Sequence, residues 1–355
     1  MNSGTALVIG AIALLVAITS GCGSSAKVSA GAKTVTGSKS TTTAPPPTTA
    51  PPPPPSRTSA CFADPGACGY PDPNAGNVGV QAGTALTASG SISVTRPGTV
   101  IEGKDITGTL TVDADNITIR NSRITVNGAG CGPSDTCGNA AIYLKGPYTL
   151  HVFNVELTAS APTTVEHGIR NEAGGTLDLD RVYQHGTIDA LCYCGNATIR
   201  NSYSKISMSI AGDHLENIYT DNATLVATHN TLLNDQPQTA DIFANTNNGS
   251  DGPCKNHLTI SDNLLAGGGF AIYACAHGTS EGSSAVSITG NRIARCGRGA
   301  AVQGGGGTWV CPHGADSFGY FPNGGSFGTV AAWYPNTVWK GNVWDDTGDP
   351  IDAPA

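Results

Sequence analysis

Short alternating patterns of apolar and polar residues recur along the chain, each followed by an Asn or Ser, as in ITIRNS, ATIRNS and LTISDN. Alternation with a period of two is typical of a β-strand that buries one face. The spacings between successive central positions are 33, 27, 20, 28, 33 and 28 residues. These central positions are Ile119, Val152, Leu179, Ile199, Ala227, Ile260 and Ile288.

A second set of short strands lies between the members of the first, at spacings of 27, 22, 27, 24, 30 and 30 residues. Two interleaved rows at this period indicate stacked coils rather than a sandwich or a propeller, and no helix-forming half accompanies them. We therefore predict an all-β fold, a single-stranded right-handed parallel β-helix. The central positions of the second set are Ile142, Ile169, Leu191, Ile218, Ile242, Ile272 and Val302.

The segments NITIRNSRI, ATIRNSYS, LTISDNLLAGGG and VSITGNRI resemble those of right-handed parallel β-helix proteins of the pectate-lyase-like superfamily. The YFPNGGSFGTV and WKGNVWDD segments are similar to those of secreted actinobacterial β-helix proteins. The resemblance covers roughly residues 75–350 and implies the fold. It leaves the activity open, because the superfamily includes lyases, hydrolases, epimerases and non-catalytic adhesins.

The aromatic-rich end of the chain is expected to cover the last coil, since an open coil end would expose unpaired strand edges. Stacking on sugar rings is the alternative role for its tryptophans. These are Trp309, Trp333, Trp339 and Trp344.

Composition narrows the classes of function for this chain of 355 residues. Only 12% of the residues are charged, and the chain contains 47 Gly and 22 Pro, which favours a turn-rich β protein. The part after residue 60 holds 14 basic and 26 acidic residues, a net charge of −12. Such a surface repels polyanions unless a cation intervenes, so we exclude nucleic acid as a partner. We expect a monomer, and the partner we expect from the residues described below is an extracellular polysaccharide.

The N-terminal region predicts export. Residues 5–19 form an apolar run that ends in Thr-Ser-Gly-Cys and resembles a bacterial lipobox, which implies a signal peptide over 1–21 and diacylation (palmitate) of Cys22. A plain secretory signal or a short membrane anchor is the alternative, because no Lys or Arg precedes the run. Residues 22–60 are rich in Thr and Pro and predict a disordered linker, with a folded domain over 61–355. The expected location is the outer face of the bacterial cell membrane, with a lipid as the anchor.

The number of cysteines is consistent with an exported protein that forms disulfides. The chain has 11 cysteines, and ten remain once Cys22 is set aside. Closeness in sequence suggests four pairs, and leaves Cys192 with Cys194, a pairing that the single intervening residue puts in doubt. The four pairs are Cys61/Cys68, Cys131/Cys137, Cys254/Cys275 and Cys296/Cys311.

The residue after each central position of the second row should point outward. Stacking of the coils turns these residues into a column that we expect to bind sugar rings, with Tyr143, Phe243, Tyr273 and Asp241 as substrate-binding residues. Such a column is long enough for a polymer rather than a small molecule. It reads Tyr143, Arg170, Cys192, Tyr219, Phe243, Tyr273 and Gln303.

Ionisable residues concentrate beside this column. His167, Asp189 and Glu216 occupy similar places on three neighbouring coils, where the turn enters the strand, and we expect them at the outward edge. Further charged residues flank Glu216 or lie one coil away. They are Asp213, His214, Asp221 and Asp241.

This set suits chemistry on an acidic polysaccharide. A β-elimination needs a neutraliser for the uronate carboxylate, a base for the C5 proton and an acid for the leaving oxygen. We assign Arg170 or a bound Ca²⁺ as neutraliser, His214 or His167 as base and Tyr219 as acid. The Ca²⁺ ligands would be Asp189, Glu216, Asp213 and Asp221.

Two alternatives to elimination remain. A glycoside hydrolase would use two of the carboxylates. A non-catalytic β-helix would use the same face only to bind glycan or cell wall, with its charged residues in structural pairs. The residue signatures of polygalacturonases and classical pectate lyases are absent from the sequence.

Overall fold

The chain folds into stacked parallel strands in a computed structural model. The structure describes residues 61–126, 140–160, 167–171, 173–187, 191–206, 215–221, 223–234, 240–245, 252–253, 256–276, 278–279, 285–294, 328–331 and 337–353. The expected signal peptide, Cys22 and linker lie outside these residues. No helix in the described part of the chain is long and apolar enough to cross a membrane.

Helical structure in the described ranges is limited to three short 3₁₀ turns, Cys61–Ala63, Gly66–Cys68 and Pro73–Ala75. The strands are, in chain order, β1 (Thr87–Ser89), β2 (Ile92–Val94), β3 (Val100–Glu102), β4 (Lys104–Thr107), β5 (Leu110–Val112), β6 (Ile117–Val126), β7 (Ala140–Leu144), β8 (Thr149–Ala159), β9 (His167–Arg170), β10 (Thr176–Asp180), β11 (Tyr183–His185), β12 (Cys192–Tyr193), β13 (Asn196–Arg200), β14 (Tyr203–Ile206), β15 (Glu216–Asp221), β16 (Thr224–Thr228), β17 (Thr231–Asn234), β18 (Ala240–Asn245), β19 (Gly252–Pro253), β20 (His257–Ser261), β21 (Leu264–Gly267), β22 (Phe270–Ala276), β23 (Gly278–Thr279), β24 (Ala285–Thr289), β25 (Arg292–Ile293), β26 (Gly328–Ala331), β27 (Val338–Lys340) and β28 (Val343–Trp344).

These strands form a parallel β-helix, which confirms the predicted fold class. One sheet has 17 strands, a second has nine, and β19 and β23 form a small third sheet. Each strand of the nine-stranded sheet begins one coil, and the chain then passes through the larger sheet. In the nine-stranded sheet the order is β2, β5, β7, β9, β12, β15, β18, β22 and β26.

The larger sheet contains two strand rows, so each coil has three strands rather than the two predicted. A sharp turn separates the rows at the Asn/Ser unit of the repeat, and its first residue has a left-handed backbone. Asn and Asp tolerate this conformation better than most residues, which explains their place in the motif. The non-glycine residues at this bend are Asn121, Asn154, Arg181, Asn201, His229 and Asp262.

The residue after the bend builds a hydrogen-bonded ladder inside the solenoid. The Asn263 side-chain oxygen accepts from the Asn230 backbone N–H and side-chain amide, both at 2.9 Å. Asn263 repeats the same contacts with the next coil, at 2.9 and 3.0 Å. Because each buried amide satisfies its neighbour, an unbroken polar column is tolerated in the interior. The ladder runs through Ser202, Asn230, Asn263, Asn291 and Asn342.

Apolar columns fill the rest of the interior. Ile119, Val152 and Leu179 lie in register on successive strands and are fully buried. Ile142 and Ile169 do the same in the nine-stranded sheet. This confirms the inward positions predicted from the repeat.

The described C-terminal residues cover the last coil. The Trp339 indole donates to the Ile351 carbonyl oxygen at 2.8 Å, and Ile351 packs against the main core. Trp344 is partly buried against the same core, whereas Trp309 and Trp333 lie outside the described residues.

Two of the cysteine pairs considered above lie within the described ranges. Cys61 and Cys68 form a disulfide, as expected, and Cys192 and Cys194 are also bonded to each other. The remaining three pairs include cysteines outside the described residues.

Candidate functional site

The predicted outward column exists on the nine-stranded sheet. Tyr143 is in register with Arg170, and Phe243 is in register with Tyr219 and Tyr273. Five coil spacings of about 4.8 Å from Tyr143 to Tyr273 give a column roughly 24 Å long.

The prediction was wrong by one residue on β12. Cys192 aligns with Ile169 and Ile218 and is fully buried, so Tyr193 and not Cys192 takes the outward position between Arg170 and Tyr219. The apolar–aromatic dipeptide Cys192-Tyr193 matches Ile218-Tyr219, and that match was the signal available in the sequence.

The last strand of the second row also differs from the prediction. Val330 of β26 pairs with Ile272, so β26 follows β22 in the sheet. The predicted Val302 and Gln303 lie outside the described residues.

Alternation reverses where these strands begin. Ala271 and Ile272 both pack into the main core, although they are adjacent in sequence. As a result, the residue two positions before the central one lies on the outer side of the sheet. On β18 the central residue is Ile242, and Ala240 packs with Phe243 rather than with the main core. Ala240 is the register partner of Glu216.

His167 lies beside the column, with its ring 5.9 Å from that of Tyr193. Burial and the nearby Arg170 charge lower the pKa of His167 to about 3, so the imidazole is neutral at physiological pH. Neutral imidazole can accept a proton, although so low a pKa makes it a weak base.

Glu216 is also buried, with 1% of its surface exposed. Burial and the Glu216 charge raise the pKa of Tyr273 above its usual value, which places this carboxylate within electrostatic reach of the column.

The tyrosines converge on one carboxylate. The phenols of Tyr219 and Tyr193 donate to the same Asp221 oxygen at 3.1 and 3.4 Å, and the Asn245 amide donates to the Tyr219 oxygen at 2.9 Å. Burial and nearby negative charge raise the pKa of Tyr219, so the phenol stays protonated. Tyr193 and Asn245 are the two members of this site that the sequence analysis missed.

The aromatic rings stack on one another. The Tyr193 and Tyr219 centroids are 4.5 Å apart with an angle of 18° between the planes, and Tyr219 and Phe243 are 5.5 Å apart at the same angle. Neighbouring rings occupy these faces, so the column does not present the open faces expected from the sequence. Phe243, which was expected to bind substrate, is only 3% exposed.

Asp241 is not part of this face. It is fully buried and accepts from the Asn217 side-chain amide at 2.9 Å, and Asn217 in turn accepts from Ser204 at 2.7 Å on the larger sheet. Its expected role in substrate binding therefore has no support in its position.

Three residues of the expected site, Asp189, Asp213 and His214, lie outside the described residues. His167 and Glu216 each lie two residues before the buried central residue of their strand. On β12 that central residue is Cys192, so the equivalent position in the sequence is Ala190 and not Asp189. The described ranges contain no group of three or more His, Cys, Asp or Glu side chains that could hold a metal ion. Asp221, one of the expected Ca²⁺ ligands, accepts hydrogen bonds from two phenols.

No family model, no curated protein and no solved structure matches this chain.

Proposed function

We propose that this protein is an exported, polysaccharide-active β-helix protein that binds an acidic glycan along the outer column of the nine-stranded sheet and cleaves it by elimination. The observation that supports the proposal is the continuous register of Arg170, Tyr193 and Tyr219, with His167 and Asp221 against the same rings. A guanidinium, a neutral imidazole and protonated phenols are the group types that this reaction needs.

The roles follow from position. Arg170 neutralises the uronate carboxylate, and the His167 imidazole accepts the C5 proton. His167 and Tyr219 are two coils apart, roughly 10 Å along the solenoid, which is too far to serve one glycosidic bond. Tyr193 lies between them, 5.9 Å from His167 between ring centroids, so we assign the acid that protonates the leaving oxygen to Tyr193. Tyr219 and Asp221 hold Tyr193 in place.

A second function, glycan binding without cleavage, is favoured by the burial of the ionisable groups. His167 and Glu216 are 6% and 1% exposed. In this case the hydroxyl groups and ring edges of the column would bind sugar, and His167 and Glu216 would only stabilise the sheet.

One experiment separates the two functions. The exported protein is incubated with panels of uronate-containing and neutral glycans, with and without Ca²⁺, and unsaturated and reducing ends are measured together with binding. We expect unsaturated products from a uronate glycan, and a loss of at least about 100-fold in rate for Tyr193→Phe or His167→Gln with binding retained. His151→Gln, on the outer face of the larger sheet, is the control.

Absence of products together with binding that Tyr193→Ala abolishes would support the binding function. Neither products nor binding would contradict both.

For location, we propose lipidation at Cys22. Palmitate labelling that Cys22→Ala abolishes, with release of the protein into the medium, is the expected result.

A further inference from the structure

Residues 61–79, here called the strap, run along the outside of the larger sheet against the order of the coils. At one end the Phe62 backbone N–H donates to the Asp345 carboxylate in the last coil at 2.9 Å. At the other end the Gly79 backbone N–H donates to the Arg181 carbonyl oxygen at 2.9 Å. The strap therefore connects coils far apart in the solenoid, and it follows the row of left-handed bends.

Apolar contacts hold the middle of the strap. Tyr70 is 3% exposed and packs with Cys61 and Leu264. The Thr231 hydroxyl donates to the Pro71 carbonyl oxygen at 2.8 Å. These contacts are independent of the nine-stranded sheet's outer face and of the proposed function.

His229, at one of the bends, contacts the strap backbone through its imidazole ring. Its Nδ1 lies 2.8 Å from an Asp262 carboxylate oxygen, and its Nε2 lies 3.1 Å from the Gly69 carbonyl oxygen. Both of these partners only accept hydrogen bonds. The two contacts can be hydrogen bonds at the same time only if the ring carries a proton on each nitrogen.

Other groups around His229 also favour the imidazole with a proton on each nitrogen. The Tyr70 ring stacks on His229 with centroids 5.4 Å apart, and the Tyr70 phenol donates to the other Asp262 oxygen at 3.4 Å. Hydrogen bonding to Asp262 and its charge raise the pKa of His229, against the effect of burial. Arg181, a cation that lines the same cavity as His229, is paired with Asp180 at 2.9 Å.

Two further charged side chains act on Tyr70. Arg292 and Asp345 both act on the pKa of that phenol, and they are paired with each other at 2.9 Å. Water reaches His229 through an open cavity of about 270 Å³ between strap and sheet. The cavity is lined by Pro71, Asn77, Arg181, Asn201 and His229.

We propose that the strap is a pH-dependent latch, closed when His229 is doubly protonated and loosened when it loses a proton. The proton that remains stays on the nitrogen that faces the Asp262 carboxylate. The lone pair of Nε2 then faces the Gly69 oxygen, so a hydrogen bond becomes a repulsive contact. Since the protonated form is favoured in the closed state, the stabilisation is complete at acidic pH and is lost as pH rises through the His229 pKa of the folded protein.

Hydrogen–deuterium exchange of the full chain between about pH 5 and 8 tests the latch. Exchange of peptides that contain Phe62 and Gly79 is compared with that of a core peptide from β16, which corrects for the intrinsic effect of pH. We expect relative protection of the strap to fall by at least about threefold as pH rises, since one pH unit of pKa difference corresponds to about tenfold in the opening equilibrium. His229→Gln should remove this dependence on pH.

His151→Gln is the matched control, because His151 also pairs with a carboxylate, that of Asp178 at 3.3 Å, but does not touch the strap. It should keep the wild-type dependence. Relative protection that does not change with pH in the wild-type protein would overturn the proposal, and this comparison needs no variant to fold. A dependence that persists in His229→Gln would overturn it as well.

Discussion

The Tyr219 phenol donates a hydrogen bond to the carboxylate of Asp221, two residues later on the same strand, at an O···O distance of 3.1 Å. Burial, the neighbouring Tyr193 and the Asp221 charge all raise the pKa of Tyr219, and the Asn245 amide acts in the opposite direction. Burial first, and the Asp221 carboxylate in addition, keep the phenol in its protonated, donating form.

Asp221→Asn should lower the Tyr219 pKa, because it removes a negative charge next to the phenolate. The measurement is a spectrophotometric titration of the tyrosines, with Tyr219→Phe used to identify the transition. Asp178→Asn, a carboxylate replaced on the other sheet, should leave that transition in place. An unchanged Tyr219 pKa in Asp221→Asn would contradict the electrostatic role assigned to Asp221.

Asp241 should make the protein less stable as pH rises. Burial raises its pKa well above the usual value, and one of its carboxyl oxygens has no partner. The unfolded chain loses this proton at lower pH than the folded protein does, so the stabilisation is complete below the unfolded pKa and is lost as pH rises.

Asp241→Asn should therefore raise the free energy of unfolding at pH 8 by more than about 1 kcal/mol and change it little near pH 4. Urea unfolding at the two pH values measures the difference. Asp178→Asn should not stabilise the protein at pH 8, since that carboxylate is paired with Arg200 and His151. Destabilisation of Asp241→Asn at pH 8 would show that the folded protein holds this group as a carboxylate.

The asparagine ladder should be sensitive to a single truncation. Asn263→Ala removes the acceptor of Asn230 and the donor to the Ala227 carbonyl oxygen, 2.9 Å away, and leaves both groups buried. Each buried group without a partner costs about 1–3 kcal/mol, so we expect a loss of about 3 kcal/mol or more.

Denaturant unfolding checks this value against Asn196→Ala, an exposed asparagine that accepts one hydrogen bond from the Thr224 backbone at 2.9 Å. The control should lose about 1 kcal/mol or less. Equal losses for the two variants would mean that the buried ladder does not act as a connected column.

The apolar alternation predicted the candidate site in part. Tyr143, Arg170, Tyr219, Phe243 and Tyr273 were placed in one column from their spacing, and the structure confirms that register. The same rule failed at β12, because spacings of 22 and 23 residues from Ile169 to the next central position fit the repeat equally well. Only pairing with Ile169 and Ile218 selects Cys192 as the buried residue.

The sequence by itself determined the stacked-coil fold, because strand alternation and the Asn/Ser bend are local patterns that every coil repeats. Tertiary structure decided which side each ionisable group faces. Asp241 turns inward because two successive residues face the core at the start of its strand, and that reversal depends on how the chain enters the sheet. Tertiary structure also decided where the strap lies, because its contacts join residues that are 160 and 283 positions apart in the chain. Contacts at such separation leave no periodic signal in the chain, since only folding brings the two partners together.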